Sequence, residues 1–201
     1  MPLCIDCIHA LPSTDFFSID ENPVEKIFWG RAPILHAGAL LFFTKDSLVQ
    51  DLIAQLKYHH NKKVGILLGN LMGEAIAAAE KFKQIDLLLP IPIRSSKINS
   101  RGYNQSQVIA FGIQQVWDRP IDTQVLIKRT WSNTQTKKNR TARLAQVPDL
   151  FLLQDPEKIE GKNILIIDDV LTTGATLEAA IACLMTGRPA SISIAVAAYT
   201  L

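Results

Sequence analysis

The sequence predicts an α/β protein built on a parallel sheet with helices on its faces, and three observations carry that prediction. Residues 164–167, Ile-Leu-Ile-Ile, form a continuous apolar run followed by turn chemistry, as in a strand buried on both faces. Residues 177–185 then carry helix formers and residues 191–198 a further apolar run, which together make a βαβ unit. Upstream, strand-like runs at 35–43 and 85–92 alternate with stretches whose apolar residues recur at helical spacing.

Composition bounds the alternatives. The chain has 201 residues, 48% of them apolar and 20% charged, which allows one main domain with a packed core and excludes general disorder. No apolar run approaches the roughly eighteen residues of a membrane span, and the start, Met-Pro-Leu-Cys-Ile-Asp, lacks the basic-then-apolar order of a signal peptide. No membrane association and a cytoplasmic location are expected. Three cysteines, with Cys183 inside a predicted apolar helix, make no disulfide framework. Charge is unevenly spread: residues 94–143 hold ten Lys and Arg against two acids, whereas the remainder holds 11 against 17. A cationic block between two strand-end loops suits a polyanionic ligand.

The chain opens with an arm, residues 1–34, in which Cys4 and Cys7 form a lone Cys-x-x-Cys. Tetrahedral zinc needs about four ligands, and the nearby additions are His9 and His36, so thiols on a mobile terminus are expected. Residues 16–31 mix Pro23, Gly30, Phe28 and Trp29 with charges and predict an irregular segment whose aromatics pack on the main body. Residues 35–201 form the domain proper. After the strand at 35–43, Leu48, Leu52, Ile53 and Leu56 predict a helix over 47–58 that His59 and His60 close, and Leu67, Leu68, Leu71, Met72 and Ile76 predict another over 64–82. Pro90 and Pro92 end the second strand and project Ile93, Arg94, Ser95, Ser96 and Lys97 as a loop. Arg101-Gly102-Tyr103-Asn104-Gln105-Ser106 then leads into a helix over 107–117, with Asn104 or Ser106 as its cap. Residues 125–129 are a short strand. Residues 130–148 lack apolar periodicity but carry Lys137, Lys138, Arg140 and Arg143, which predicts a lid. A short apolar run at 151–153 and a turn near Asp155 and Pro156 precede the central strand.

That strand runs into Asp168, Asp169, Val170, Leu171, Thr172, Thr173, Gly174, Ala175 and Thr176. Ligands of open parallel sheets collect beyond strand carboxyl ends, and a helix N-terminus there offers unpaired N–H groups to a phosphate. Thr172, Thr173 and Thr176 add hydroxyl donors, and Gly174 lets backbone N–H groups converge. Adjacent carboxylates suit vicinal hydroxyls or a water-mediated Mg²⁺ instead. Phosphate together with a diol points to a ribose phosphate.

Residues 164–176 resemble the phosphoribosyl pyrophosphate motif of type I phosphoribosyltransferases at every position. More specifically, the chain from about Cys4 to Tyr199 is similar to the ComF family, bacterial phosphoribosyltransferase-like proteins associated with natural competence. Leu89-Pro90-Ile91-Pro92, the Arg101 to Ser106 stretch, Thr134-Gln135 with Arg140 and Arg143, and the acidic pair carry the match. The resemblance implies a type I phosphoribosyltransferase-like twisted parallel sheet flanked by helices. It also implies an N-terminal zinc ribbon with two Cys-x-x-Cys pairs. Only the second pair, Cys4 and Cys7, is present here and the first would lie upstream of Met1, so either the chain begins late or the metal site has been lost, and the arm is expected to be a remnant of that element. Mg²⁺ and a ribose-phosphate ligand are further implications, with Asp168 and Asp169 on the ribose hydroxyls, Thr172 to Thr176 on the 5′-phosphate, and the residue 92–97 loop on pyrophosphate.

Two functions follow. The first is transfer of a phosphoribosyl group from phosphoribosyl pyrophosphate to a nitrogen nucleophile, with Arg94, Ser95, Lys97 and Arg101 on pyrophosphate and Lys137, Lys138, Arg140 and Arg143 arriving on closure. The second is a non-catalytic competence factor that binds a helicase or single-stranded DNA, or a nucleotide-sensing regulator. Tyr103, Trp117 and Trp131 are interleaved with the cations, too sparsely for a stacking platform.

Overall fold

The computed structural model describes residues 3–129 and 150–200. In chain order the elements are α1 (Ile5–His9), α2 (Pro23–Phe28), β1 (Ala37–Phe43), α3 (Leu48–Tyr58), α4 (Lys62–Ala78), β2 (Leu87–Pro90), α5 (Ser95–Arg101), α6 (Gln105–Val116), β3 (Leu126–Lys128), β4 (Phe151–Leu153), β5 (Asn163–Leu171), α7 (Ala175–Met185) and β6 (Ser191–Thr200). Four strands form a parallel sheet in the order β1-β6-β5-β2, while β3 and β4 make a separate antiparallel pair. The fold is therefore the α/β class that the alternating strand and helix patterns predict.

The apolar run of β5 alternates faces, as the pleat requires. Leu165 and Ile167 pack with Leu56, Leu68, Met72, Ile109 and Ile113 from α3, α4 and α6. Ile164 and Ile166 pack on the opposite side with Phe28, Leu177, Ile181 and Leu184 from α2 and α7. Helices α4 and α6 approach closely because both carry glycine at the contact. A Cβ at Gly112 would lie 2.5 Å from the Ile66 carbonyl, and one at Gly69 would overlap the Ile109 carbonyl.

The arm is more ordered than its composition predicts. Asn22, 1% exposed, caps α2 by accepting from the Val24 and Glu25 N–H groups, and its amide donates to the carbonyls of Phe16 at 3.0 Å and Ala37 at 2.8 Å. One side chain thus starts a helix and fastens it to β1. Phe16, Phe17 and Phe28 are buried as expected, but Trp29 is 57% exposed.

Other expectations are corrected. The predicted loop after Pro92 is largely α5, ended by Gly102 at φ +74°, whose N–H bonds the Ile98 carbonyl. The helix predicted over 64–82 stops at Ala78, and Glu80–Phe82 is a 3-10 turn. Asp168 and Asp169 lie within β5, not beyond it, because pairing with β6 continues through Leu171 and Tyr199. Among the described residues, no helix is long and apolar enough to cross a membrane.

Candidate functional site

Strands β2 and β5 are parallel neighbours with Pro90 opposite Ile167, so their carboxyl ends open side by side. Strand β5 carries the acids, runs on through Val170 and Leu171, and gives way to the turn at Thr172 and Thr173, both exposed, before α7 starts at Ala175. Gly174, at φ +80°, caps α7 and is buried. A Cβ there would stand 3.1 Å from Ile27 Cγ2 and 3.2 Å from Phe28 Cε1. The arm therefore floors the anion-binding turn that the motif predicts. Arg31, also from the arm, donates through Nη2 to the Thr173 carbonyl at 3.2 Å and lies 2.5 Å from Glu178 Oε1 in α7.

The acidic pair is gripped from two helices. Ser106, in the first turn of α6, donates its hydroxyl to Asp168 Oδ1 at 2.9 Å, and the Asp169 N–H reaches the same oxygen at 2.9 Å. Lys57, in the last turn of α3, places Nζ 3.0 Å from Asp169 Oδ1. Burial, and then the charge of Asp169, push the Asp168 carboxyl up to about 7, against the opposing pull of those hydrogen bonds and of Lys57. Two adjacent carboxylates thus differ: Asp169 is ion-paired, whereas Asp168 sits near its titration point at neutral pH.

The stretch 101–106 holds these partners in place. Asn104 caps α6 and donates to the Ile91 carbonyl at the end of β2, which fixes Ser106 opposite Asp168. Tyr103 donates its hydroxyl to the Leu56 carbonyl at 2.7 Å, which fixes the turn bearing Lys57. His60 Nδ1 lies 2.8 Å from the Arg101 carbonyl. Arg101 has partners of its own on α3 and α6. Its Nη1 donates to Gln105 Oε1 at 2.9 Å, and its guanidinium lies 5.4 Å over the ring of Tyr58.

Arg94, Ser95 and Lys97 are exposed at the start of α5. Lys128 at the end of β3 shares their field: burial lowers its pKa, the charge of Asp168 raises it, and those of Lys97 and Arg94 lower it again. Sequence reasoning overlooked Lys57 and Lys128 and treated Ser106 only as a cap. The signal available was charge within the predicted helix over 47–58 and strand over 125–129, with nothing local to say which way it pointed. Lys137, Lys138, Arg140 and Arg143, with the predicted lid, lie outside the described residues.

Metal chemistry is constrained by the same contacts. Magnesium prefers a full octahedron of oxygens, and the acid pair offers two carboxylates whose Oδ1 atoms are already bonded to Ser106 and Lys57. An ion here would take most of its shell from ligand oxygens and water. At the terminus, the Cys7 N–H donates to Cys4 Sγ at 3.4 Å. Among the described residues, the one group of three metal-type ligands is Asp20, Glu25 and His36, which excludes both thiols. The described residues do not make a closed tetrahedral zinc shell. The Asp20 group is itself filled, with Lys81 Nζ 3.1 Å from Glu25 Oε1 and 3.5 Å from Asp20 Oδ1.

Residues 54–200 match the family model of the phosphoribosyl transferase domain. Competence protein ComFC of Bacillus subtilis is 36% identical over 152 residues, 75% of this chain and 60% of that protein. DNA utilization protein YhgH of Salmonella typhimurium is 26% identical over 152 residues, 71% of this chain and 63% of that protein. The chain thus spans about three fifths of the length of the curated relatives it matches. Among solved structures, the glutamine phosphoribosylpyrophosphate amidotransferase from B. subtilis superposes with a TM-score of 0.48 at 16% identity, over 71% of this chain and 30% of that one.

Proposed function

The chain belongs to the phosphoribosyl transferase domain family, and on that premise we propose that it binds phosphoribosyl pyrophosphate or ribose 5-phosphate and transfers the phosphoribosyl group to a nitrogen nucleophile. The observation that carries the reading is the continuity of β5: two carboxylates lead directly into a Gly174-capped turn at a strand carboxyl end. In this reading the ribose hydroxyls donate to Asp168 and Asp169, and the 5′-phosphate accepts from the N–H groups and hydroxyls of Thr172 to Thr176. The bond from ribose C1 to pyrophosphate breaks with its electron pair leaving on oxygen, while the lone pair of the nitrogen forms the new bond to C1 and that nitrogen loses a proton. Positive charge developing on the sugar faces the carboxylates. Arg94, Ser95, Lys97 and Lys128 receive the departing pyrophosphate. Mg²⁺, were it bound with the pyrophosphate, would offset the negative charge of that group. We place the reaction in the cytoplasm, as the cysteine content suggests.

A second reading, a factor handling single-stranded DNA or a helicase, is supported by the names of the relatives ComFC and YhgH. Tyr103 and Trp117 are buried, which removes both from base stacking, whereas Phe111 is 43% exposed and Trp131 lies outside the described residues.

Calorimetry and thermal shift with phosphoribosyl pyrophosphate and Mg²⁺ test the first reading. Ligand is expected to raise Tm by mass action, and Asp168→Asn with Asp169→Asn to abolish the rise. No binding of this ligand or of ribose 5-phosphate at millimolar concentration defeats the reading. Arg94→Ala with Lys97→Ala separates the two functions. Loss of phosphoribosyl pyrophosphate affinity favours the enzyme, whereas intact affinity with a DNA salt slope reduced by roughly one unit per lost phosphate contact favours the DNA factor.

A further inference from the structure

The acid pair comes with its own cation. Lys57 Nζ is 3.0 Å from Asp169 Oδ1, and the two side chains are only 21% and 13% exposed, so solvent screens this pair far less than a surface ion pair. Its position is built in. Leu56 is fully buried, and its carbonyl accepts the Tyr103 hydroxyl, so the turn bearing Lys57 is anchored by the stretch that also presents Ser106 to Asp168. An ammonium bonded to Asp169 opposes a second, divalent charge on the same carboxylate, and magnesium sheds its waters reluctantly for an incomplete set of protein ligands. A neutral diol meets no such opposition, since hydroxyls donate to carboxylate oxygens without adding charge.

We propose that Lys57 is the fixed counter-ion of the acid pair, which fits Asp168 and Asp169 to a ribose diol rather than to a metal, so that ribose 5-phosphate binds without a divalent cation. The inference rests on the ribose-phosphate reading of the site and adds a positioning residue and a metal requirement to it. Metal dependence then belongs to the pyrophosphate portion of the larger ligand. Replacing Lys57 with an uncharged side chain leaves Asp169 without its partner and gives a divalent ion a reason to enter.

The test is calorimetric titration of the full chain with ribose 5-phosphate, once in EDTA and once in Mg²⁺, for the wild type, Lys57→Arg and Lys57→Met. The wild type is expected to bind equally in both, within about twofold, and Lys57→Arg to behave likewise. Lys57→Met is expected to lose about tenfold or more in EDTA, because Asp169 is no longer held in place and its uncompensated charge repels the ligand's phosphate, and to recover part of it in Mg²⁺. Binding by the wild type only when Mg²⁺ is present overturns the inference and leaves the ribose-phosphate reading standing. No binding under either condition overturns both. Equal binding by Lys57→Met and wild type in EDTA shows an incidental ion pair and also overturns it. Should Lys57→Met not fold, Lys57→Gln is titrated in its place, with the same losses expected and equal binding again overturning the inference.

Discussion

Asp168 shows how one residue couples stability to the site. Its carboxyl titrates at about 7 in the folded chain against an ordinary 3.8, because burial and the neighbouring Asp169 disfavour its charge. Below about pH 4 the group is protonated whether folded or unfolded and carries no penalty. As pH rises towards 7 the unfolded chain ionises first, so the stabilisation present at low pH is lost, and above 7 the loss is complete. Asp168→Asn is therefore expected to be more stable than wild type at pH 8, by a few kcal/mol at roughly 1.4 kcal/mol per unit of displaced pKa. The gain should vanish near pH 4, and thermal melts across pH check this. Affinity for ribose 5-phosphate in the wild type should meanwhile rise through pH 7, as Asp168 becomes a full acceptor. At the turn, Gly174→Ala forces a side chain into φ +80° and against Ile27 and Phe28. A cost of about 1–3 kcal/mol is expected, with ligand affinity falling alongside. Unchanged melting and binding would show that neither the backbone angle nor the arm shapes the turn.

At the scale of elements, the site depends on how two helices are seated. The first turn of α6 carries Ser106, and α6 rests on α4 through a contact with Gly69 and Gly112 on its two sides. Gly112→Ala would drive a methyl to 2.5 Å from the Ile66 carbonyl, which is backbone and cannot rotate away. The variant is expected to lose about 1–3 kcal/mol by overpacking, measured by denaturant titration, and to weaken ligand binding because α6 moves as a unit. Helix α5 shows where reading by pattern ends. Its seven residues have no apolar stripe, so sequence reads a loop, yet the Gly102 N–H closes the turn on the Ile98 carbonyl at 2.7 Å. Strand β5 errs the other way. Two charges imply a strand end, but parallel pairing to β6 runs on through Asp168 and Val170, since the ladder depends on backbone groups and not on side-chain polarity.

For the molecule as a whole, the arm and the domain share one core, with Phe16, Val24 and Phe28 packed among residues of β5, α7 and β6. The thiols at its start stand apart from this packing: Cys4 is exposed and Cys7 half-buried. Protein purified without chelator is accordingly expected to contain zinc well below one per chain by metal analysis. A single tightly held zinc per chain would require ligands beyond Cys4 and Cys7, such as those of a second copy.

What the sequence by itself determined is whatever a contiguous stretch encodes. The run from Ile164 to Thr176 holds strand, acids, turn and helix start in consecutive positions, so the fold class, the family and the two carboxylates were legible from it, as were the apolar stripes of α3, α4 and α6. What only the tertiary structure decided is which distant side chains answer those acids. Ser106 reaches Asp168 across 62 positions and Arg31 reaches the Thr173 carbonyl across 142, while Lys57 and Lys128 come from a helix end and a two-stranded ribbon outside the main sheet. Arg101 likewise bonds Gln105 and lies over Tyr58, contacts that its own stretch does not announce. The physical reason is that backbone periodicity and turn chemistry act over a few residues and leave a mark in local pattern. The direction of a long charged side chain is set by the packing of whole elements, which no short stretch contains.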